Sequence, residues 1–225
     1  MRRNAVAALF AAGCLTKPPA APPDAAGDGG PDPCTAGPMV IDDFDLPTAA
    51  PCGSGIAIGG VVALDSNELE LVPMATTDSG PPPFTAGCSW SGVPLGGNGV
   101  EIENLTALTS SVGDDTSLQI SDGTFAVTIH AVATVSGPML ELADSNDLVL
   151  TDTAYSSGSQ WWRLRALDAH TYVGEYASDD TGTWHLLGTS SAVMTAAAVT
   201  VSVTATQGTA SPGTASFDNV RACAQ

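Results

Sequence analysis

The stretch Gln160-Trp161-Trp162-Arg163-Leu164-Arg165-Ala166-Leu167, followed by Asp168-Ala169-His170 and then Thr171 to Ser178, reads as a β-hairpin. Successive side chains of a strand point to opposite faces, so Trp162, Leu164 and Ala166 share one face. Trp161, Arg163 and Arg165 share the other. On the return strand Val173, Glu175 and Ala177 alternate with Tyr172, Gly174 and Tyr176. One face of this hairpin is therefore apolar, and the other carries aromatic and charged groups.

The same period extends outward in both directions. Thr124 to Val132 alternates Phe125, Val127, Ile129 and Ala131 against Thr124, Ala126, Thr128 and His130. Val199, Val201 and Val203 alternate with Thr200, Ser202 and Thr204 over Ala197 to Thr206. Further strands are predicted at Met39 to Leu46, Ile56 to Leu64, Glu68 to Val72, Met139 to Leu142, Leu148 to Thr151 and Thr214 to Cys223. A turn at Ser178 to Gly182 leads to a short segment from Thr183 to Leu187. Thr76 to Gly99, rich in Gly and Pro, is predicted to be loop with short strand pieces. Many short strands, regular turns and no helical period predict an all-β antiparallel sandwich over residues 39–225.

The segments Gln160 to Arg165, Glu175 to Trp184 and Ala215-Ser216-Phe217-Asp218-Asn219-Val220, with Ile41-Asp42-Asp43-Phe44 at the start, resemble the concanavalin A-like lectin and glucanase superfamily. The likeness is to its laminin-G-like jelly rolls. It covers about Met39 to Cys223 and is densest after Thr124. It implies two face-to-face antiparallel sheets and frequent sugar binding. The glucanase branch carries alternating catalytic acids in a pattern close to Glu-x-Asp-x-x-Glu, which this chain lacks. Its nearest acid pairs are Glu68/Glu70 and Glu101/Glu103. Acids at i and i+2 share a strand face, as paired carboxylates in glycoside hydrolysis require, but such pairs are usually solvated.

The N-terminus reads as an export signal. Met1-Arg2-Arg3-Asn4 is a positive segment, and Ala5 to Ala12 is an apolar run too short to span a bilayer. Ala11-Ala12-Gly13-Cys14 resembles a bacterial lipobox, with Ala11 where Leu is usual. The expected arrangement is a signal peptide over 1–13 and a lipidated, Pro/Ala/Gly/Asp-rich tether over 14–38. Localisation follows as exported, in the bacterial cell envelope, at the outer membrane or cell surface. The anchor at Cys14 would be the only membrane contact. The remaining Cys34, Cys52, Cys88 and Cys223 are even in number and lack close CxxC spacing, which predicts two disulfides. Of the three possible pairings, Cys34–Cys223 with Cys52–Cys88 is favoured because terminal strands of a sandwich often pair.

Charge narrows the partners. The chain has 24 acidic against 6 basic residues and a formal net charge of −18. It repels phosphate backbones, so nucleic acid is not an expected partner. His130, His170 and His185 show no metal-binding spacing, and no Gly-x-Ser-x-Gly elbow occurs. No cofactor or metal is expected, although Asp42, Asp43, Asp45, Asp218 and Asn219 could meet around a calcium ion if the terminal strands pair. Trp162, Trp184 and Phe217 are expected in the core. Trp161, Arg163, Arg165 and Glu175 are the candidate ligand-binding residues: Trp can stack on a sugar ring, and Arg and Glu can bind hydroxyls. Their plainer reading is a cross-strand Arg–Glu pair with Trp161 covered. The expected function is a non-catalytic, surface-exposed binding module for carbohydrate or another extracellular polymer. The alternatives are a structural or adhesive protein-binding lipoprotein and an unrecognised glycoside hydrolase.

Overall fold

The computed structural model describes residues 39–42, 44, 52, 54–58, 60–75, 83–94, 99–145, 148–168, 170–180, 183–191, 194, 198–208 and 213–222. The expected signal segment and tether, with Cys14 and Cys34, and Asp43, Asp45 and Cys223 lie outside them. Among the described residues every regular element is a strand, and the strands form two antiparallel sheets.

The first sheet contains β1 (Met39–Asp42), β3 (Gly60–Asp65), β4 (Glu68–Pro73), β6 (Val100–Thr106), β11 (Trp161–Asp168), β12 (Thr171–Ala177), β13 (His185–Ser190) and β15 (Ala215–Ala222). Its order is β13-β12-β11-β6-β15-β4-β3, with β1 pairing β15. The second contains β2 (Ser54–Ile58), β5 (Phe84–Pro94), β7 (Asp115–Ser121), β8 (Ala126–Thr134), β9 (Gly137–Asp144), β10 (Val149–Ala154) and β14 (Ala198–Gln207). Its order is β10-β9-β8-β7-β14-β5-β2.

The expected hairpin is present, with Trp162 opposite Tyr176 and Arg163 opposite Glu175. The apolar halves of the alternating strands meet between the sheets. Leu118, Ile120, Val127, Ile129, Leu140, Leu142, Trp162, Leu164, Val201, Val203 and Phe217 are all fully buried there. Removing that apolar surface from water is the main stabilising term of the fold. The first and last strands pair as expected, Met39 opposite Ala222.

Three expectations need correction. Residues 56–64 are not one strand: β2 belongs to the second sheet and β3 to the first. The chain changes sheets there, and a Cβ at Gly60 would sit only 2.8 Å from the Ala86 Cβ. Glycine permits that close passage. The expected loop at Thr76–Gly99 contains β5, an eleven-residue strand paired on both sides. Its small residues serve close strand approach. A Cβ at Gly87 would lie 2.7 Å from the Val203 carbonyl oxygen. Trp184 is half-buried and lies outside the core, over the outer face of the first sheet.

Of the two expected disulfides, Cys52–Cys88 is present, with Cα atoms 5.3 Å apart. It ties the segment entering edge strand β2 to β5. The Cys34–Cys223 pairing falls outside the described residues.

Candidate ligand-binding groove

The outer faces of the two sheets differ in kind. On the first sheet, β11 and β12 carry the four sequence-predicted ligand residues, and the two arginines engage Glu175. Arg163 Nε donates to Glu175 Oε2 at 2.7 Å, and its Nη1 reaches Glu101 Oε1 at 3.4 Å. Arg165 grips the same Glu175 through two bonds of 2.9 Å each. The Arg163 guanidinium lies 4.0 Å from the centre of the Trp184 ring, and that of Arg221 lies 4.9 Å from Trp161. Arg221 is itself held by Asp180 at 3.2 Å. Arg163, Glu101, Glu175 and Trp161 are all buried, and Arg165 is partly exposed. The arrangement is a closed ionic layer: cations stack on indoles, and the carboxylates are shared between guanidinium groups.

Three of the other acids singled out in sequence have local engagements. Glu103 accepts from Asn219 at 2.9 Å. Asp42 caps the Phe44 amide at 3.0 Å, and Asp218 the Asn219 amide at 2.7 Å. Among the described residues no three His, Cys, Asp or Glu side chains converge as a metal site.

The outer face of the second sheet is open. Strands β7, β8, β9 and β14 bury one largely apolar set of alternate residues and turn Ser, Thr, Gln, His and Glu side chains outward, while Val149 of the edge strand β10 is exposed. Across strand boundaries the register aligns Gly87, Thr204, Ser117, His130, Glu141 and Asp152 in one row. The adjacent row is Ser89, Ser202, Gln119, Thr128, Ala143 and Val149. On the other side, Asp115 stands opposite Thr206 and Thr206 opposite Thr85. Ten of these residues, from Thr204 and Thr206 across to Glu141 and Val149, line a groove of about 430 Å³. Neighbouring strands lie about 4.8 Å apart, so the five strands from β14 to β10 span roughly 19 Å.

The groove floor is hydrogen-bonded but not saturated. Ser117 and Thr204 share a bond of 2.6 Å, Thr85 and Thr206 one of 3.0 Å, and Gln119 donates to Thr128 at 3.1 Å. A hydroxyl has one proton to give and two lone pairs, so each pair keeps capacity for a further partner. At the centre His130 Nδ1 contacts Asp115 Oδ2 at 2.8 Å. Glu141 stands directly across from His130 on one side and from Asp152 on the other. Burial pushes the Glu141 carboxyl above its ordinary value; the carboxylates of Asp152 and Asp115 add to that, and His130 opposes it. The groove thus presents hydroxyls, one amide, one imidazole and two carboxyl groups, with the Asp152 carboxyl on the strand beside Glu141.

Sequence alone placed Thr128 and His130 on one face but did not connect them to Asp115, Glu141 or Thr204. The Thr200-Ser202-Thr204 alternation was visible. Only strand order, which brings β14 beside β7, turns it into part of a surface.

No protein-family model matches the chain, and no curated protein matches it in sequence. Solved structures do match in fold. The carbohydrate recognition domain of Emp46p, in its potassium-bound form, aligns at a TM-score of 0.50 and 10% identity, covering 74% of this chain and 87% of that one. A structure reported with endo-acting O-glycanases of the human gut microbiota aligns at 0.54 and 11% identity, covering 83% and 100%. The xylan β-1,4-xylosidase of Bacillus halodurans C-125 aligns at 0.52 and 18% identity, covering 80% of this chain but 38% of the enzyme. The chain therefore has the concanavalin A-like jelly-roll fold. At these identities the likeness speaks to fold alone.

Proposed function

We propose that this chain is a glycan-binding module, with its ligand lying across the strands in the groove of the second sheet. The observation that carries the reading is the double row of hydroxyl, amide, imidazole and carboxyl groups from Thr204 to Asp152 on an open face. Sugar hydroxyls both donate and accept, and this lining offers both roles at strand spacing. The lectin-type and glycosidase folds that the chain resembles agree with such a ligand. The first-sheet residues Trp161, Arg163, Arg165 and Glu175 serve the fold: both arginines are bonded to Glu175, Trp161 lies under Arg221, and most of the group is buried.

The test is a glycan array probed with the full chain and with His130→Ala. His130 and Asp115 keep 21% and 24% of their side-chain surface, so removing their contact should move the melting temperature by only a few degrees. Retention of the bound glycan should fall about tenfold or more, as expected when a polar ligand contact is lost. Retention unchanged in His130→Ala would rule out the groove as the site.

A second reading, glycoside hydrolysis in the same groove, is favoured by one observation. Glu141, whose carboxyl burial pushes above its ordinary value, stands across a strand boundary from Asp152. Two carboxyl groups facing each other across a strand boundary are the side-chain pair that such enzymes use. Release of reducing ends from an array-positive glycan, lost in Glu141→Gln, would establish it.

The chain is also proposed to be an exported lipoprotein, anchored through Cys14 and held off the membrane by the Pro-rich segment that follows. The Gly13-Cys14 junction and the tether composition support this. Cys14→Ser should move the protein from membrane to soluble fractions. Unaltered partitioning would remove lipidation from the account.

A further inference from the structure

Residues 39–225 contain three Lys or Arg side chains, Arg163, Arg165 and Arg221, and all three lie on the first sheet. Each is engaged with a carboxylate there: Arg163 and Arg165 with Glu175, and Arg221 with Asp180. No strand of the second sheet carries a lysine or arginine. Its groove is instead lined by Asp115 and Glu141 around His130, and Asp152 stands opposite Glu141 on the next strand. The division of charge between the sheets is therefore complete: fixed cations on one outer face, and none on the other.

That division has a chemical consequence for any ligand in the groove. A glycan bearing uronate, sulfate or phosphate would bring its anion beside carboxylates with no guanidinium or ammonium to receive it. Like charges brought together without a partner raise the energy of that complex and act as selection against the wrong ligand. A protonated amino group would meet the reverse situation, with the acidic side chains of Asp115 and Glu141 in the groove, Asp152 on the strand beside Glu141, and hydroxyls to take its remaining protons. The field of a chain carrying a net charge of −18 adds to the same preference at longer range.

We infer that the groove of the second sheet selects glycans that carry free amino groups over their N-acetylated forms, and excludes acidic glycans. The inference rests on the glycan-binding reading of that groove and specifies the class of ligand within it. Selection comes from placement: the hydroxyl rows hold the sugar ring, and the Asp115, Glu141 and Asp152 carboxyls sort ligands by charge.

The experiment is calorimetric titration of the full chain with three oligomers of equal length, made of glucosamine, N-acetylglucosamine and galacturonate. It is run at mildly acidic pH, where the amine is protonated, and in low and high salt. The glucosamine oligomer should bind about tenfold tighter than the acetylated one in low salt. That ratio should shrink as salt screens the carboxylates, and also in Glu141→Gln. The galacturonate oligomer should give no heat. Equal affinity for the amine and acetylated oligomers, or measurable binding of galacturonate, would overturn the charge selection while leaving a glycan groove in place. No binding of any of the three, together with a blank glycan array, would overturn both.

Discussion

Replacing Arg163 by alanine should lower the stability of the folded chain by about 3–5 kcal/mol, the usual cost of removing one partner from a buried ion pair. Arg163 is 5% exposed and lies between Glu101 at 2% and Glu175 at 7%. Its register neighbours explain why the loss cannot be shared out. Arg163 stands opposite Glu175 on one side and Glu101 on the other, at the centre of the sheet. Without the guanidinium, Glu175 keeps Arg165, but Glu101 loses its guanidinium contact in a place water does not reach. Trp184 would lose the cation it stacks on as well. Lysine should recover only part of the loss, because a point charge cannot fork between two carboxylates and lie flat on an indole. A thermal melt is the measurement, and a curve for Arg163→Ala overlaying the parent would contradict the closed ionic layer.

The second large effect is expected at the Cys52–Cys88 bridge, which closes a segment of sequence separation 36. A loop of that length restricts the unfolded chain by about 4 kcal/mol in the chain-entropy account, with measured bridges mostly at 2–4 kcal/mol. The bridge also has a local task. Gly55 of the edge strand β2 pairs with Cys88 itself, so the covalent link enters the sheet beside the register it protects. The Cys52→Ala/Cys88→Ala double variant should lose about 2–4 kcal/mol. Reducing the parent protein should bring its melting curve down to that of the variant. A melt indifferent to reduction would show that strand pairing alone holds β2.

The sandwich could be read from sequence wherever one strand face is apolar and the other polar, as at Val127/Ile129 and Trp162/Leu164. Such alternation fixes both the element and its inward side. It failed at β5, where Gly87 and Ser89 take the outward positions and look like loop chemistry. Those residues are small because β14 passes close by, a tertiary fact with no local signature. The break between β2 and β3 was hidden for a similar reason. Both segments are β-prone, and only their partners reveal that they belong to different sheets.

The ionic layer was more legible than the groove. Arg163, Arg165 and Glu175 belong to one hairpin, so alternation and turn length suffice to bring them together. Glu101 and Trp184 were not foreseen as members, because β6 joins β11 from some sixty residues away. The groove draws on β7, β8, β9, β10 and β14, with Ser117 and Thr204 separated by 87 residues. Outward Ser and Thr on one strand look the same whether they face bulk water or line a ligand groove. Strand order distinguishes the two, and strand order is not written in period or composition.

The most direct test of the central claim is a residue-resolved footprint of a bound glycan, read from backbone amide and side-chain NMR shifts during titration with an oligomer that the array identifies. A glycan in the groove should perturb Ser117, Gln119, Thr128, His130, Glu141 and Thr204 and leave Arg163, Trp161 and Trp184 unmoved. Perturbations centred on Trp161, Arg165 and Trp184, with the groove silent, would place the ligand on the first sheet and contradict that claim.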